Sequence, residues 1–516
     1  MSLAQILRDA IARDRSAVAL DGDSRTVTFG ELDATSNRVA NALIAAGVGR
    51  GDRVVFIDRN STAFWEVYLG CLKAGAVMVP LNFRLSAAEV AWAVQDCEPT
   101  VIVVDATFAD LVPADFPTVV VIADAPAPDP RESGRPRYDA WLEDAADTDP
   151  GRDATGGEYV GLLYSSGTTG RPKGVLVSDE QQEWAVPAFA SYFDVDSDSR
   201  SLVPIPYFHI AGGGWAMVTL SRGGTVIQSR EPTAESMFDQ LVRHRATHTA
   251  MVPAVMRILT QSPEARAADF SALRQLVYGG SPISEALVRA SSETFGTQLF
   301  QSYGLSETTG VTTLLGPEQH RPDGDLSRLR SAGRAVDGID LQIRDPFDGS
   351  LLPAGASGEI VVRGPSVTPG YWRLPEATKQ AFTADGFLRT GDVGTLDEDG
   401  FLYIRDRIKD LIVSGGENIY PAEVESVLAD HPQVADIAVV GIPDERWGER
   451  PIAFAVASGG ELDPADVVAF ARERMAHFKC PTEVVVLPEL PRNASGKILK
   501  RDLREPYWLG HDRAVR

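Results

Sequence analysis

The chain has 516 residues, 44% of them hydrophobic and 23% charged, which excludes global disorder and exceeds a single ordinary core, so two or more domains are expected. Its 49 Lys and Arg against 72 Asp and Glu leave a formal charge of −23, which excludes nucleic-acid backbones and anionic bilayers as general partners. A polyanionic ligand would need a local site of oriented donors, or a metal.

The first sixteen residues interrupt their apolar positions with Arg8, Asp9, Arg13 and Asp14, so they hold no signal-peptide core. No uninterrupted apolar run approaches the roughly 20 residues that span a bilayer. Cys71, Cys97 and Cys480 lie too far apart for a zinc or CxxC pattern and read as buried thiols. These features point to a cytoplasmic protein with no transmembrane segment.

Thr28-Phe29-Gly30-Glu31 is a capping-box signature, and Val39, Ala42, Leu43 and Ala46 continue a helical apolar stripe that Gly47 stops. The runs 53–57, 76–81 and 101–105 read as short buried strands, and such alternation favours α/β architecture with largely parallel sheets. The stretch 123–155, rich in Ala, Asp and Pro, has no periodicity and reads as a surface excursion. Next comes a hydroxyl- and glycine-rich loop at 164–174, Tyr-Ser-Ser-Gly-Thr-Thr-Gly-Arg-Pro-Lys-Gly, behind an apolar strand. Successive backbone N–H groups in such a loop make a concavity for phosphate oxygens, with Ser165, Ser166, Thr168 and Thr169 as further donors. Gly167 and Gly170 allow tight turns, and Lys173 supplies a movable charge. The Walker A spacing does not align here, and a plain surface turn is the alternative.

A second series of strands follows at 201–206, 224–228, 248–253 and 275–280. From about 340 the grammar turns to β (340–345, 358–364, 400–407), then changes again after Lys409. There Pro421 takes a first helical position, and strands at 434–442, 451–457 and 482–487 with a helix near 464–476 complete a small α+β unit. The expected organisation is an α/β N-terminal body over 1–408, with largely parallel sheets and a β-rich part, and a small mobile α+β C-terminal domain over 409–516.

The loop at 164–174 has ordered companions: Tyr-Gly-Leu-Ser-Glu-Thr (303–308), Thr-Gly-Asp (390–392), the run 405–425 and the run 491–500. Together they resemble the adenylate-forming superfamily of acyl-CoA synthetases, luciferases and peptide-synthetase adenylation domains, nearest to fatty-acyl-CoA ligases. The resemblance implies a ligase that uses ATP, Mg²⁺ and CoA, activating a small-molecule carboxylic acid as acyl-AMP and passing it to the thiol. It implies that Ser165, Ser166, Gly167, Thr168, Thr169, Gly170 and Lys173 hold the ATP phosphates. Gly279, Gly280, Ser281, Tyr303, Gly304 and Thr308 would surround the adenylate, and Asp392 and Arg407 the ribose. Glu307 would bind Mg²⁺ with Ser165 as a second ligand, and Lys497 would be the adenylation lysine.

For the second half-reaction the resemblance implies a hinge at Lys409 and a pantetheine passage lined by Gly415, Gly416 and Trp447, with Arg84 near the CoA nucleotide. Around Phe478 the basic residues of some relatives are replaced by Lys479-Cys480-Pro481-Thr482. At 206–215 Phe208-His209-Ile210 stands where amino-acid-activating relatives carry an aspartate, so an acid without an ammonium group is expected. His209, Gly213, Gly214 and Gly304 would line the acyl pocket, with His209 also at the carboxylate end. Fatty, aryl and steroid-side-chain acids all stay open, as does delivery to a carrier protein; a non-catalytic nucleotide-binding regulator is disfavoured by the combined presence of Lys497, Glu307, Asp392 and Arg407. A homodimer is expected by analogy alone. The basic run at 243–248 is open to a peripheral membrane contact or a solvated helix end.

Overall fold

The computed structural model describes residues 1–22, 25–123, 135–165, 172–280, 283–321, 326–415, 417–460, 462–492 and 498–509. Its chain divides into two units, one formed by 1–340 with 363–382 and one by 341–362 with 383–516.

Among the described residues the first unit carries two sheets. In the six-stranded sheet the order is Val119–Ile122, Val101–Asp105, Arg53–Ile57, Val77–Pro80, Tyr159–Ser165 and Lys173–Ser178. Every neighbour pair is parallel except the last, an antiparallel hairpin. The nine-stranded sheet has a parallel centre, running Gln298–Tyr303, Gln275–Gly279, His248–Met251, Arg200–Val203, Thr225–Gln228 and Val18–Asp21, with antiparallel strands at both edges. The central strands are buried on both faces, as Val54, Val55, Val103, Val104, Leu202 and Leu276 show at 0% exposure.

The expected capping box opens the helix Phe29–Ala45: Thr28 Oγ1 accepts from Glu31 N at 3.2 Å, and Glu31 Oε2 accepts from Thr28 N at 2.8 Å. That helix lies so close to Thr62–Ala74 that a Cβ on Gly70 would stand 2.5 Å from Val39 Cγ1. The expected surface excursion is partly tied down. The Asn37 and Asn41 side chains donate to the carbonyls of Asp147, Ala146 and Thr148, and Arg8 pairs with Asp149 and Asp153. Polar anchors of this kind leave no hydrophobic periodicity. The three cysteines are free thiols and buried, as expected.

The second unit contains a four-stranded sheet, Asp340–Arg344, Gly358–Arg363, Leu388–Leu396 and Leu402–Arg407. It also holds a five-stranded sheet around the long antiparallel pair Val434–Asp444 and Gly448–Ala457, covered by helices Pro421–Leu428, Pro464–Arg474 and Lys500–Trp508. Among the described residues no helix is long and apolar enough to cross a membrane.

Arg230 in the first unit bridges two acids, reaching Asp58 at 3.1 Å and Asp105 at 3.0 Å. Burial of the Asp58 carboxyl, only partly opposed by Arg230, pushes its pKa up to about 6. Below that value the folded chain keeps a proton that the unfolded chain has lost, so this group makes stability fall as pH rises from about 4 to about 6. Asp58→Asn should therefore gain about 1–3 kcal/mol on the wild type across that interval, read as the difference between two denaturation-versus-pH curves; parallel curves would refute the assignment.

Candidate active site

The hairpin Tyr159–Ser165/Lys173–Ser178 sets Ser165 opposite Lys173, and Ser165 Oγ donates to the Lys173 carbonyl at 3.3 Å. The hairpin tip, with the predicted phosphate donors Ser166, Gly167, Thr168, Thr169 and Gly170, lies outside the described residues, as do Ser281, Gly416 and Lys497.

Two neighbouring parallel strands of the other sheet end together. Gly279 is in register with Ser302, so Gly279, Gly280, Tyr303 and Gly304 emerge side by side at the strands' carboxyl ends, where open α/β sheets place their ligands. A Cβ on Gly304 would stand 1.9 Å from the Gly310 carbonyl oxygen, so only glycine lets the chain fold back here. The short turn Ser306–Thr308 follows. Thr308 is 1% exposed, and its hydroxyl accepts from Leu305 N at 2.9 Å and from Thr312 Oγ1 at 2.9 Å, holding the turn that presents Glu307.

Glu307 Oε1 accepts from the Tyr371 hydroxyl at 3.1 Å, and Lys173 Nζ sits 4.8 Å from the centre of the Tyr371 ring. One aromatic thus joins the predicted carboxylate to the predicted phosphate lysine, and burial together with Glu307 pushes its own pKa up. Tyr371 escaped the sequence reading, since its Pro-Gly-Tyr-Trp setting (369–372) signals no more than a turn before two aromatics. It is placed by main chain: Trp372 N donates to Gly174 O at 2.8 Å, Leu176 N to Gly370 O at 3.1 Å, and Thr368 N to Glu307 O at 2.8 Å.

His209 begins the helix Ile210–Ser221 after the strand Arg200–Val203, its ring 4.3 Å from that of Phe208. The three following glycines differ. A Cβ on Gly212 or Gly213 would meet the carbonyls of Pro206 or Tyr207 at 2.3 and 2.8 Å, whereas Gly214 has nothing within 4 Å. A side chain at 214 would thus meet open space, whereas Gly212 and Gly213 sit in close contact with main chain. Arg84 is exposed and lies 4.7 Å over the Phe83 ring. The basic run 243–248 meets Arg200 and Arg274 at the amino ends of the strands, around a recess of about 610 Å³. Its guanidiniums face Asp21, Asp239, Asp269 and Asp196.

In the second unit Asp392 and Arg407 are cross-strand partners, with Arg407 Nε 3.4 Å from Asp392 Oδ1 and Asp392 6% exposed. Lys409 lies in the turn Ile408–Asp410, where burial lowers its pKa. Gly415, at φ +60°, donates its N–H to the Trp447 carbonyl at 2.7 Å, and a Cβ there would stand 2.7 Å from the indole. Trp447 is 49% exposed, with the Arg446 guanidinium 4.7 Å over it.

The family model described as AMP-binding enzyme matches residues 7–372, and its C-terminal-domain model matches 423–497. The chain belongs to the adenylate-forming family of AMP-binding enzymes. It is 40% identical over 503 residues to the fatty acid–[acyl-carrier-protein] ligase ScoC of Streptomyces coeruleorubidus, covering 96% of this chain and 94% of that protein. It is 37% identical over 481 residues to the long-chain-fatty-acid–CoA ligase FadD13 of Mycobacterium tuberculosis, covering 93% of each. The crystal structure of ATP-bound MatB from Rhodopseudomonas palustris superposes with a TM-score of 0.88 at 31% identity, covering 98% of this chain and 99% of that one. The protein is an AMP-forming ligase of the acyl-CoA synthetase class, and such ligases take ATP and CoA as substrates.

Glu307→Gln should cut pyrophosphate release by about 10²–10³-fold, the scale of losing one preorganised electrostatic contact, and Tyr371→Phe by a smaller factor of about 5–10. A continuous pyrophosphate assay checks both, and equal losses would break the assigned order of the two residues.

Proposed function

We propose that this enzyme converts a hydrophobic carboxylic acid, a medium- or long-chain fatty acid in the first instance, to its CoA thioester through an acyl-AMP intermediate. The observation that carries this reading is the line Lys173–Tyr371–Glu307, held at the carboxyl ends of parallel strands beside Tyr303 and Gly279. An anionic chain has assembled there a lysine, a carboxylate and an open backbone edge, as a bound nucleoside triphosphate requires.

In the first half-reaction a carboxylate oxygen of the acid attacks the α-phosphorus of ATP; the new O–P bond forms as the bond to pyrophosphate breaks. No protein nucleophile is needed, so catalysis rests on in-line positioning and charge neutralisation. Lys173 and the hairpin tip hold the departing phosphates. Tyr303 stacks on the base against Gly279, Gly280 and Ser281, and Asp392 accepts from the ribose hydroxyls with Arg407 beside it. Lys497 stabilises charge at the carboxylate and α-phosphate. Among the described residues the Glu307 carboxylate makes its side-chain hydrogen bond through Oε1 alone, which fits a hard cation that keeps several waters and takes one or two protein oxygens. Glu307, with Ser165, would hold Mg²⁺, whose charge would neutralise the phosphates.

In the second half-reaction the thiolate sulfur attacks the acyl carbon, a C–S bond forms, and AMP leaves with the C–O electron pair. The functional boundary lies at 408/409, with Lys409 the pivot by which the C-terminal domain exchanges Lys497 for the Gly415–Trp447 surface. Phe208 and His209 in place of an aspartate disfavour an amino acid, and the open side of Gly214 supports a chain or ring. Buried, unpaired cysteines accord with a cytoplasmic setting.

A second reading replaces CoA by the phosphopantetheine thiol of a carrier protein, and the 40% identity to ScoC favours it. Incubation with ATP, Mg²⁺, CoA and a panel of fatty, aryl and steroid-side-chain acids separates the two. Free thiol should disappear in step with AMP release for a hydrophobic acid. Accumulated acyl-AMP with untouched CoA, and loading of a holo carrier protein, would overturn the CoA reading in favour of the other. Lys497→Ala should lower pyrophosphate release by about 10²–10³-fold, about 3–4 kcal/mol of barrier, while ATP binding measured by calorimetry persists. An unchanged rate would remove Lys497 from its assigned role.

A further inference from the structure

The helix Lys500–Trp508 starts three residues after Lys497 and is fixed to the C-terminal sheet from both sides. Leu503, 7% exposed, packs into a cluster with Val440, Ile452 and Phe454, and Trp508 Nε1 donates to Gly441 O at 2.9 Å. The residues flanking the lysine segment are joined as well, since Arg492 and Ile498 form a β-bridge and Leu499 N donates to Pro491 O at 2.8 Å.

One face of this helix is cationic and grips the pivot turn of the same unit. Arg504 Nη1 donates to the Lys409 carbonyl at 3.2 Å and lies 3.7 Å from Asp410 Oδ1. One turn earlier, Lys500 Nζ is 2.7 Å from Glu425 Oε1, and its charge acts on Asp406 and Asp410 as well. Asp406 precedes the pivot, yet its carboxylate accepts from Ala422 N at 2.7 Å, at the start of the helix that follows the pivot. Lys500 and Glu425 are mostly buried, at 15% and 19% side-chain exposure. Removing the lysine would leave the Glu425 and Asp406 carboxylates without the cation that faces them and destabilise the fold. Arg504 is bonded to main chain and lies farther from its carboxylate, Asp410, than Lys500 does from Glu425, so its loss is the milder one.

We propose that Arg504 is a positioning residue, seconded by Lys500, that clamps the Lys409 turn to the helix anchoring the downstream end of the Lys497 segment. The pivot's backbone and the point from which Lys497 departs are then held by one element. Because Lys497 is assigned to adenylation alone, loss of this anchorage weakens that step and spares attack of the thiol on a finished adenylate. This inference rests on the reading of Lys409 as pivot and Lys497 as adenylation lysine.

The test uses the full-length enzyme as Arg504→Met and Arg504→Lys, each half-reaction measured in single turnover: pyrophosphate release from ATP and acid, and CoA consumption from preformed acyl-AMP. Arg504→Met should slow the first by about 10–50-fold at saturating ATP and acid and the second by less than about 3-fold, with Arg504→Lys recovering most of the loss through its retained donor. A merely structural arginine would depress both steps together with thermal stability, and that result, or two unchanged steps, would overturn the clamp. Lys497→Ala run beside it separates the layers. If that variant adenylates normally, the underlying reading fails; if it is dead and Arg504→Met is not selective, the clamp alone fails.

Discussion

The strap of main chain at 368–372 carries the hydrogen bonds on which the site depends. One end, Thr368 N, donates to the Glu307 carbonyl; the other, Trp372 N, donates to Gly174 in the hairpin of a different sheet. Between them Tyr371 reaches both the carboxylate and the lysine. Five residues thereby tie the turn at the end of one sheet to the hairpin at the end of another. The strap works because the turn it holds has no freedom of its own. Gly304 passes Gly310 with no room for a Cβ, and Thr308 spends its hydroxyl on the turn. Backbone contacts set this geometry, so the side chains left over are free for chemistry.

A molecule with formal charge −23 does not attract a triphosphate by its overall field. Lys173 stands over the face of Tyr371, whose hydroxyl donates to Glu307, and among the described residues it forms no salt bridge. Many of the arginines elsewhere are paired with acids. Arg230 serves Asp58 and Asp105, Arg200 serves Asp21, and the arginines of the basic recess each face a carboxylate. A lysine over a tyrosine keeps more of its field than a guanidinium already paired in a salt bridge.

The sequence made legible what rests on periodicity and on ordered motifs. The capping box at Thr28 and Glu31, the buried parallel strands and the late α+β unit all announce themselves by spacing. What escaped depends on long-range main-chain contact. The strand Lys173–Ser178 returns antiparallel from a loop that reads as a phosphate cradle or a surface turn, and Tyr371 acquires its place by pairing with that strand. The helix Lys500–Trp508 is silent in sequence because Lys, Arg, Asp and Glu dominate it, and its charged partners, Glu425 and Asp410, are brought to it only by the tertiary fold. Spacing alone does not tell the three glycines at 212–214 apart. Two of them are there so that the helix can meet the carbonyls of Pro206 and Tyr207.

The Gly415–Trp447 contact shows how a surface can be kept apolar and still exposed. Indole area turned toward water costs roughly 25 cal/mol per Å², so a half-exposed tryptophan normally finds cover. Here one face lies on the backbone of Gly415, and the Arg446 guanidinium stands over the ring at 4.7 Å. A side chain at 415 would lift the ring from its seat, since its first carbon would fall 2.7 Å from the indole. The left-handed φ of +60° penalises a substituent there a second time. Both penalties vanish only for glycine, and both act on a residue that adds no apolar area to the core. The constraint is therefore local: it seats an exposed indole and adds nothing to the packed core of the C-terminal sheet.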